Sequence, residues 1–201
     1  MGKSFAKWYD RFMNPLERGR FKSIRKQLIE KAEGNVLELG SGTGVNFPLY
    51  RHVTVKAIEP SPYMIEGSLP KREQAKVPIE IFEAGAEALP FADDAFDTVV
   101  GTLVYCTIPD VSSAFQEMKR VCKPGGKILL FEHVKMKQPL LAKLQDRLTP
   151  YWSRICDGCC LDRETVRLVQ ESGFLLAEKR EYFNGLFVTM VLINEKGPLV
   201  K

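Results

Sequence analysis

Between Asn35 and Gly44 the chain reads Asn-Val-Leu-Glu-Leu-Gly-Ser-Gly-Thr-Gly, an apolar strand that ends on three alternating glycines. Val36, Leu37 and Leu39 have the continuous apolar character of a strand buried on both faces, as in a parallel sheet. Glycines at Gly40, Gly42 and Gly44, with Ser41 between the first two, allow a tight turn whose backbone a ligand can approach closely. The spacing argues against a dinucleotide, because the Gly-x-Gly-x-x-Gly fingerprint puts its third glycine where this chain has Val45. Glu38 would repel a diphosphate but could hold an ammonium group. The loop therefore suits a nucleoside that carries a cationic amino-acid tail; a plain turn is the competing reading of the glycines alone.

The rest of the chain can be placed around this loop. Residues 3 to 32 read as one or two helices broken at Pro15, with Phe5, Trp8, Phe12 and Leu16 on one stripe and Phe21, Ile24 and Leu28 on another. Lysines and arginines, Arg25 among them, outnumber acids there, so the segment reads as a solvated face over a core-facing stripe, or as a helix lying on anionic lipid. After the first strand (35 to 39) a helix is expected near Val45. A second strand follows from Thr54 to Pro60. Its terminal acid, Glu59, sits where a βαβ unit places a carboxylate for both ribose hydroxyls. Ser61 and Met64 open the next helix, Ile79 to Phe82 forms a third strand, and Ala95 to Gly101 a fourth. Pro109 and Asp110 start a helix that ends at Lys123-Pro124-Gly125-Gly126, and a fifth strand runs from Lys127 to His133. Residues 135 to 160 interrupt the alternation with a helical segment, Pro139 to Leu148, and then Tyr151-Trp152 and a cysteine cluster, read as a lid over the substrate. A helix from Arg163 to Glu171 and a hairpin of strands, about 174 to 183 and 186 to 194, around Asn184-Gly185 complete the chain. The expected architecture is α/β: a Rossmann-like, seven-stranded, mostly parallel sheet with one antiparallel strand and helices on both faces. One domain over 1–201 carries an N-terminal helical cap at 1–33 and the lid insertion.

The glycine loop, Glu59, the turn Ala86-Glu87 ahead of Leu89-Pro90-Phe91, and Lys-Pro-Gly-Gly together resemble the class I S-adenosylmethionine-dependent methyltransferases. That resemblance implies S-adenosylmethionine as cofactor and S-adenosylhomocysteine as product. It implies a cofactor site made from Tyr9, Glu38, Gly40, Ser41, Gly42, Asn46, Glu59, Pro60, Ser61, Met64, Ala86, Glu87 and Thr102. Ala86 and Glu87 would meet the adenine edge, while Tyr9 and Asn46 would meet the tail. Within the class the chain looks most like small methyltransferases of ubiquinone, menaquinone and phospholipids, and like alkyl thiol S-methyltransferases. Glu132-His133-Val134, the aromatic lid and Asp157-Gly158-Cys159 support the last comparison. The implied acceptor is a thiol, with a quinol or phospholipid headgroup as the alternative and a non-catalytic cofactor-binding module as the competitor from another class. His133 is the candidate catalytic residue, and Tyr105, Tyr151 and Asp157 are candidates to shape the substrate pocket. The chain lacks the tetrapeptide that DNA amino-methyltransferases carry after the fourth strand, so nucleic acid is not an expected partner.

Composition sets outer bounds. A 201-residue chain with 45% hydrophobic residues supports one sizeable core. The net charge of +4 is modest and argues neither for nor against a nucleic-acid partner. Five cysteines in a chain with no export signal read as reduced thiols of a cytoplasmic protein, with the basic N-terminal helix as a point of peripheral membrane contact. Cys156-Asp157-Gly158-Cys159 has Cys-x-x-Cys spacing but no second pair, so no metal is expected.

Overall fold

The computed structural model describes residues 19–196. Tyr9, Pro15 and the stripe of Phe5, Trp8, Phe12 and Leu16 lie outside the described residues. In chain order the elements are helix α1 (Arg20–Ile29), strands β1 (Asn35–Leu39) and β2 (Thr54–Ile58), helix α2 (Pro62–Glu73), strands β3 (Ile79–Phe82) and β4 (Phe96–Thr102), helix α3 (Val111–Val121), strand β5 (Cys122–His133), helices α4 (Pro139–Ile155) and α5 (Thr165–Glu171), and strands β6 (Leu175–Tyr182) and β7 (Phe187–Ile193).

The strands form one seven-stranded sheet in the order β3-β2-β1-β4-β5-β7-β6. β7 runs antiparallel to β5 and β6, and the other pairings are parallel. Alternation along each strand sends side chains to opposite faces, and here both faces are covered. Leu129 and Phe131 of β5 join α1's Phe21, Ile24, Leu28 and Ile29 on one side, with Val36 and Val55. Ile128 and Leu130 join α3's Val111, Ala114, Phe115, Met118 and Val121 on the other, with Leu37, Leu39 and Val99. The strand order reverses between β1 and β4, which opens a crevice at the carboxyl ends of those strands. The glycine loop lies at that edge.

Three sequence expectations change. The helix expected near Val45 is a single 3-10 turn, Phe47–Leu49. Only the stretch from Gly44 to Thr54 is available to return the chain to β2, and Tyr50 is pinned into the core within it, so no full helix fits. β5 begins at Cys122, because the Pro-Gly-Gly turn is taken up as an irregularity in the β4–β5 pairing between Phe96 and Thr98. The lid helix extends to Ile155 and absorbs Pro150, Tyr151 and Trp152. Elsewhere the signals correspond to the elements. Asp110 caps α3 by accepting from Ser113 N at 3.1 Å, and Phe183, Asn184 and Gly185 adopt positive φ at the hairpin turn.

Arg25 also departs from expectation. It is not on a solvated face but buried, 4% exposed, with its guanidinium 5.5 Å over the Phe131 ring. Lys22 and Lys26, one turn of helix apart around it, remain exposed. Among the described residues no helix is long and apolar enough to cross a membrane.

Candidate active site

The crevice begins at Glu38, which β1 carries to its carboxyl end. The side chain is 1% exposed. Tyr50 O–H donates to its Oε2 at 2.9 Å, and Asn46 Nδ2 donates to Oε1 at 2.9 Å. Asn46 Nδ2 also reaches Thr102 Oγ1 at 2.9 Å, and Arg25 Nη1 donates to Thr102 Oγ1 at 2.5 Å and to Asn46 Oδ1 at 3.3 Å. Asn46 and Thr102 thus act as struts beneath Glu38, with Arg25 as the cation behind them. Burial lifts the Glu38 pKa to about 7, against the lowering by Tyr50, Asn46 and Arg25. From the sequence Arg25 had no role beyond a basic helix face, and Tyr50 had none. Arg25's place between Ile24 and Leu28 on the apolar stripe was the available signal.

The glycine loop passes over this network. Gly40 and Gly42 both have positive φ, but for different reasons. A Cβ on Gly40 would lie 2.2 Å from Val104 Cγ2, so that glycine is required by packing. A Cβ on Gly42 would meet nothing within 4 Å, so that position faces open space where a ligand can touch backbone. Ser41 Oγ is buried beside it and has no hydrogen-bond partner. A buried hydroxyl without a partner, an open glycine and a buried carboxyl fit a ligand with an amino-acid tail.

Glu59, at the end of β2, is 4% exposed and bridges two backbone segments. Its Oε2 accepts from Gly42 N at 2.9 Å and its Oε1 from Ser61 N at 3.0 Å. Burial raises its pKa, the two amides oppose that rise, and the Asp157 charge adds to it. Asp157, on the loop after α4, is therefore close enough to Glu59 for that carboxylate to feel its charge. Pro60 is exposed beside Glu59, Ser61 caps α2 by accepting from Met64 N at 3.4 Å, and Met64 is buried beneath.

Across the crevice the Ala86-Glu87 turn buries Ala86 and leaves Glu87 half-buried. It is held from α3: Leu89 N donates to Glu117 Oε2 at 2.7 Å, and Arg120 donates to the Leu89 and Phe91 carbonyls at 3.1 and 2.8 Å. Phe91 packs edge-on between Phe82 and Phe96.

Beyond β4 and β5, the ends of the two strands meet the loop that follows α4. His133, 9% exposed at the end of β5, brings Nε2 to 3.3 Å from Cys159 Sγ. Cys106, just past β4, is buried beside them, and its carbonyl accepts from Cys160 N at 2.9 Å, which ties the lid loop to the β4 edge. Cys106 lowers the Cys159 thiol pKa well below its ordinary value, with help from His133 and against burial. Burial pulls the His133 pKa down, but the Cys159 sulfur and Glu132 outweigh it and leave the ring raised. Glu132 is fully buried and accepts from Val104 N at 3.0 Å, fixing the backbone from which Cys106 projects. Gln145 moors the lid helix: its Nε2 donates to Val134 O at 3.1 Å and Leu161 O at 2.9 Å, and its Oε1 accepts from Met136 N at 2.7 Å.

Two expected substrate residues lie elsewhere. Tyr105 is fully buried, stacked on Phe115 with its hydroxyl 3.1 Å from Met118 Sδ; it lies in the turn after β4, where Leu103 takes a positive φ. Tyr151 is 65% exposed, on the outer stripe of α4 with Leu140, Leu144, Leu148 and Ile155. Trp152 is the lid aromatic that turns inward. Asp157 acts on Glu59 through its charge. Cys106 and Cys159 had no assigned role from sequence.

This arrangement agrees with known proteins. A sequence profile of the methyltransferase domain family matches residues 37–130, from β1 into β5. A thiol S-methyltransferase, TMT1B, of Rattus norvegicus is 34% identical over 167 residues, covering 81% of this chain and 68% of that protein. A phosphatidylethanolamine N-methyltransferase of Cereibacter sphaeroides is 35% identical over 121 residues, covering 59% and 60%. Among solved structures, a SAM-dependent methyltransferase from Thermotoga maritima superposes with a TM-score of 0.71 at 22% identity, over 96% of this chain and 98% of that one. S-adenosylmethionine is the cofactor of that family, and the chain belongs to the S-adenosylmethionine-dependent methyltransferases.

Proposed function

We propose that the enzyme methylates the sulfur of a small thiol. The observation that carries this reading is the meeting of the His133 ring with the Cys159 and Cys106 sulfurs at the carboxyl edge of β4 and β5, beside the cofactor crevice. That environment is soft and partly desolvated, and suits a polarisable acceptor. The likeness to a protein named thiol S-methyltransferase supports the same reading.

When bound, the cofactor supplies a methyl group already activated on a sulfonium sulfur. The chain's own residues position and exclude. Glu38 holds the cofactor's ammonium and Ser41 Oγ its tail, while Glu59 accepts from the ribose hydroxyls. Gly42 lets the backbone come close, and the Ala86-Glu87 turn borders the base. The lid helix and the loop at 156–160 keep water from the acceptor, whose sulfur lies against His133. Alignment of this kind supplies much of a displacement's rate, since effective molarities of well-oriented groups reach about 10⁵–10⁸ M. A free thiol with a pKa of about 8.5 is only slightly ionised at neutrality, so the site must also favour the thiolate.

The test is a transfer assay with methyl-labelled cofactor and reduced enzyme on alkyl and aryl thiols, a quinol, and phosphatidylethanolamine vesicles. Labelled thioether is the expected product. Label on quinol carbon or headgroup nitrogen, with none on any thiol, overturns the reading and favours the alternative acceptors.

A further inference from the structure

Cys106 Sγ, His133 Nε2 and Cys159 Sγ all lie within 4.8 Å of one another. The three residues come from three separate segments: the end of β4, the end of β5, and the lid loop. No two of them are neighbours in sequence; His133 and Cys159 are 26 residues apart. The pair that sequence spacing picks out, Cys156 and Cys159, is not the one that the fold assembles.

We propose that these three side chains form a Cys2His site for a thiophilic divalent cation, zinc, with a fourth position open to the acceptor thiol. This deepens the thiol reading and rests on it. The geometry is close to what the ion requires. Zinc–sulfur bonds of about 2.3 Å and zinc–nitrogen bonds of about 2.0–2.1 Å at tetrahedral angles place donor atoms roughly 3.5–3.8 Å apart. The His133–Cys159 separation is 3.3 Å, and the widest separation in the group is at most 4.8 Å. Side-chain adjustments of about 1 Å close the site on that scale. Two sulfurs and an imidazole are the donors that zinc prefers over harder cations, and three protein ligands with one open position are the pattern of catalytic rather than structural zinc.

Charge supports the assignment. Two thiolates and a neutral imidazole balance a divalent ion, so the loaded site is neutral in a buried setting. The nearby Arg163 guanidinium, held by the Cys106 and Ile108 carbonyls at 3.3 and 3.1 Å, is placed to offset the charge of a third thiolate. The backbone around the ligands is fixed independently, by Glu132 on Val104 N and by Cys160 N on the Cys106 carbonyl. On this reading His133 is a ligand and not a base.

The chemistry balances without an oxidant. The acceptor thiol loses its proton to solvent as its sulfur takes the open position. That sulfur's lone pair then forms the new carbon–sulfur bond while the methyl–sulfonium bond breaks and its electrons return to the cofactor sulfur. The products are a neutral thioether, a poor ligand that departs, and S-adenosylhomocysteine. A disulfide between Cys106 and Cys159 is the competing use of the two sulfurs, and it would leave His133 without a partner.

The test uses full-length protein, reduced with a phosphine and stripped of metal, titrated with zinc and separately with cobalt. One equivalent should bind. The cobalt form should show thiolate charge-transfer and tetrahedral visible bands that change when a simple alkyl thiol is added. Cys106→Ser and Cys159→Ser should each weaken binding by about a hundredfold or more, since even outer-shell partners contribute 10–100-fold. Cys156→Ser should leave affinity unchanged, with far-UV circular dichroism confirming that every variant folds. No uptake by the reduced protein, or uptake that survives the double Cys106→Ser/Cys159→Ser change, overturns the proposal. Full thiol turnover by metal-free enzyme also overturns it while leaving the thiol function standing. Metal uptake at these residues without turnover of any thiol keeps the site and removes the function.

Discussion

A carboxyl group buried as fully as that of Glu38 is costly to ionise, and its pKa of about 7 records that cost. The sign of its effect follows. In the free protein the carboxyl holds a proton that the unfolded chain, with an ordinary value of 4.5, has lost; its contribution to stability is full below 4.5 and is lost as pH rises through 7. Cofactor binding runs the other way, because an ammonium needs the anion. S-adenosylhomocysteine affinity should fall about tenfold per pH unit below 7, with a proton released on binding, as calorimetry in buffers of different ionisation enthalpy would show. Glu38→Gln should weaken binding about 10–100-fold and flatten that profile. Gly42→Ala makes a second test: with open space around its Cβ, the variant should fold with only about 1–2 kcal/mol of backbone strain yet lose cofactor affinity. Retained affinity would remove the loop from the site.

At the scale of elements, α1 and α4 each support the site through one buried polar side chain, Arg25 and Gln145. α1 delivers Arg25 beneath Glu38, where its charge lowers the carboxyl pKa. Arg25→Met should therefore move the midpoint of the binding profile above pH 7, a shift that mere loss of packing would not produce. α4 hangs on the three hydrogen bonds of buried Gln145. Gln145→Ala should open the lid locally by about 1–3 kcal/mol, seen as faster hydrogen exchange over residues 139–160 and a raised KM for the acceptor, with cofactor affinity preserved. The strands were legible in the sequence because continuous apolar runs between turn residues leave few other readings. The loss of the helix after Gly44 was not, since chain length and the burial of Tyr50 decide it. Arg25 was miscounted among solvated cations because its charge outweighed its position on the apolar stripe. The Cys106–His133–Cys159 group could not be read at all, because nothing local in the sequence marks residues that only the closed sheet and folded lid bring together.

For the whole molecule, the sheet divides the apolar interior in two, and β5 contributes alternate residues to each half. Leu129→Ala, at a fully buried position, should cost about 2–5 kcal/mol. Each kcal/mol should lower Tm by about 2–4 °C in a chain of this size, measured by calorimetry. The same sheet sets the direction of the chemistry, since β1, β2, β4 and β5 all end at one edge and bring Glu38, Glu59, Thr102 and His133 there. The central claim is that this edge holds the cofactor with its sulfur facing the acceptor group of Cys106, His133 and Cys159. A crystal structure of the S-adenosylhomocysteine complex tests it most directly. The account predicts the amino group on Glu38, the ribose hydroxyls on Glu59, and the sulfur directed at His133 and the two cysteines. A cofactor seated with its sulfur turned away from those three residues would contradict it.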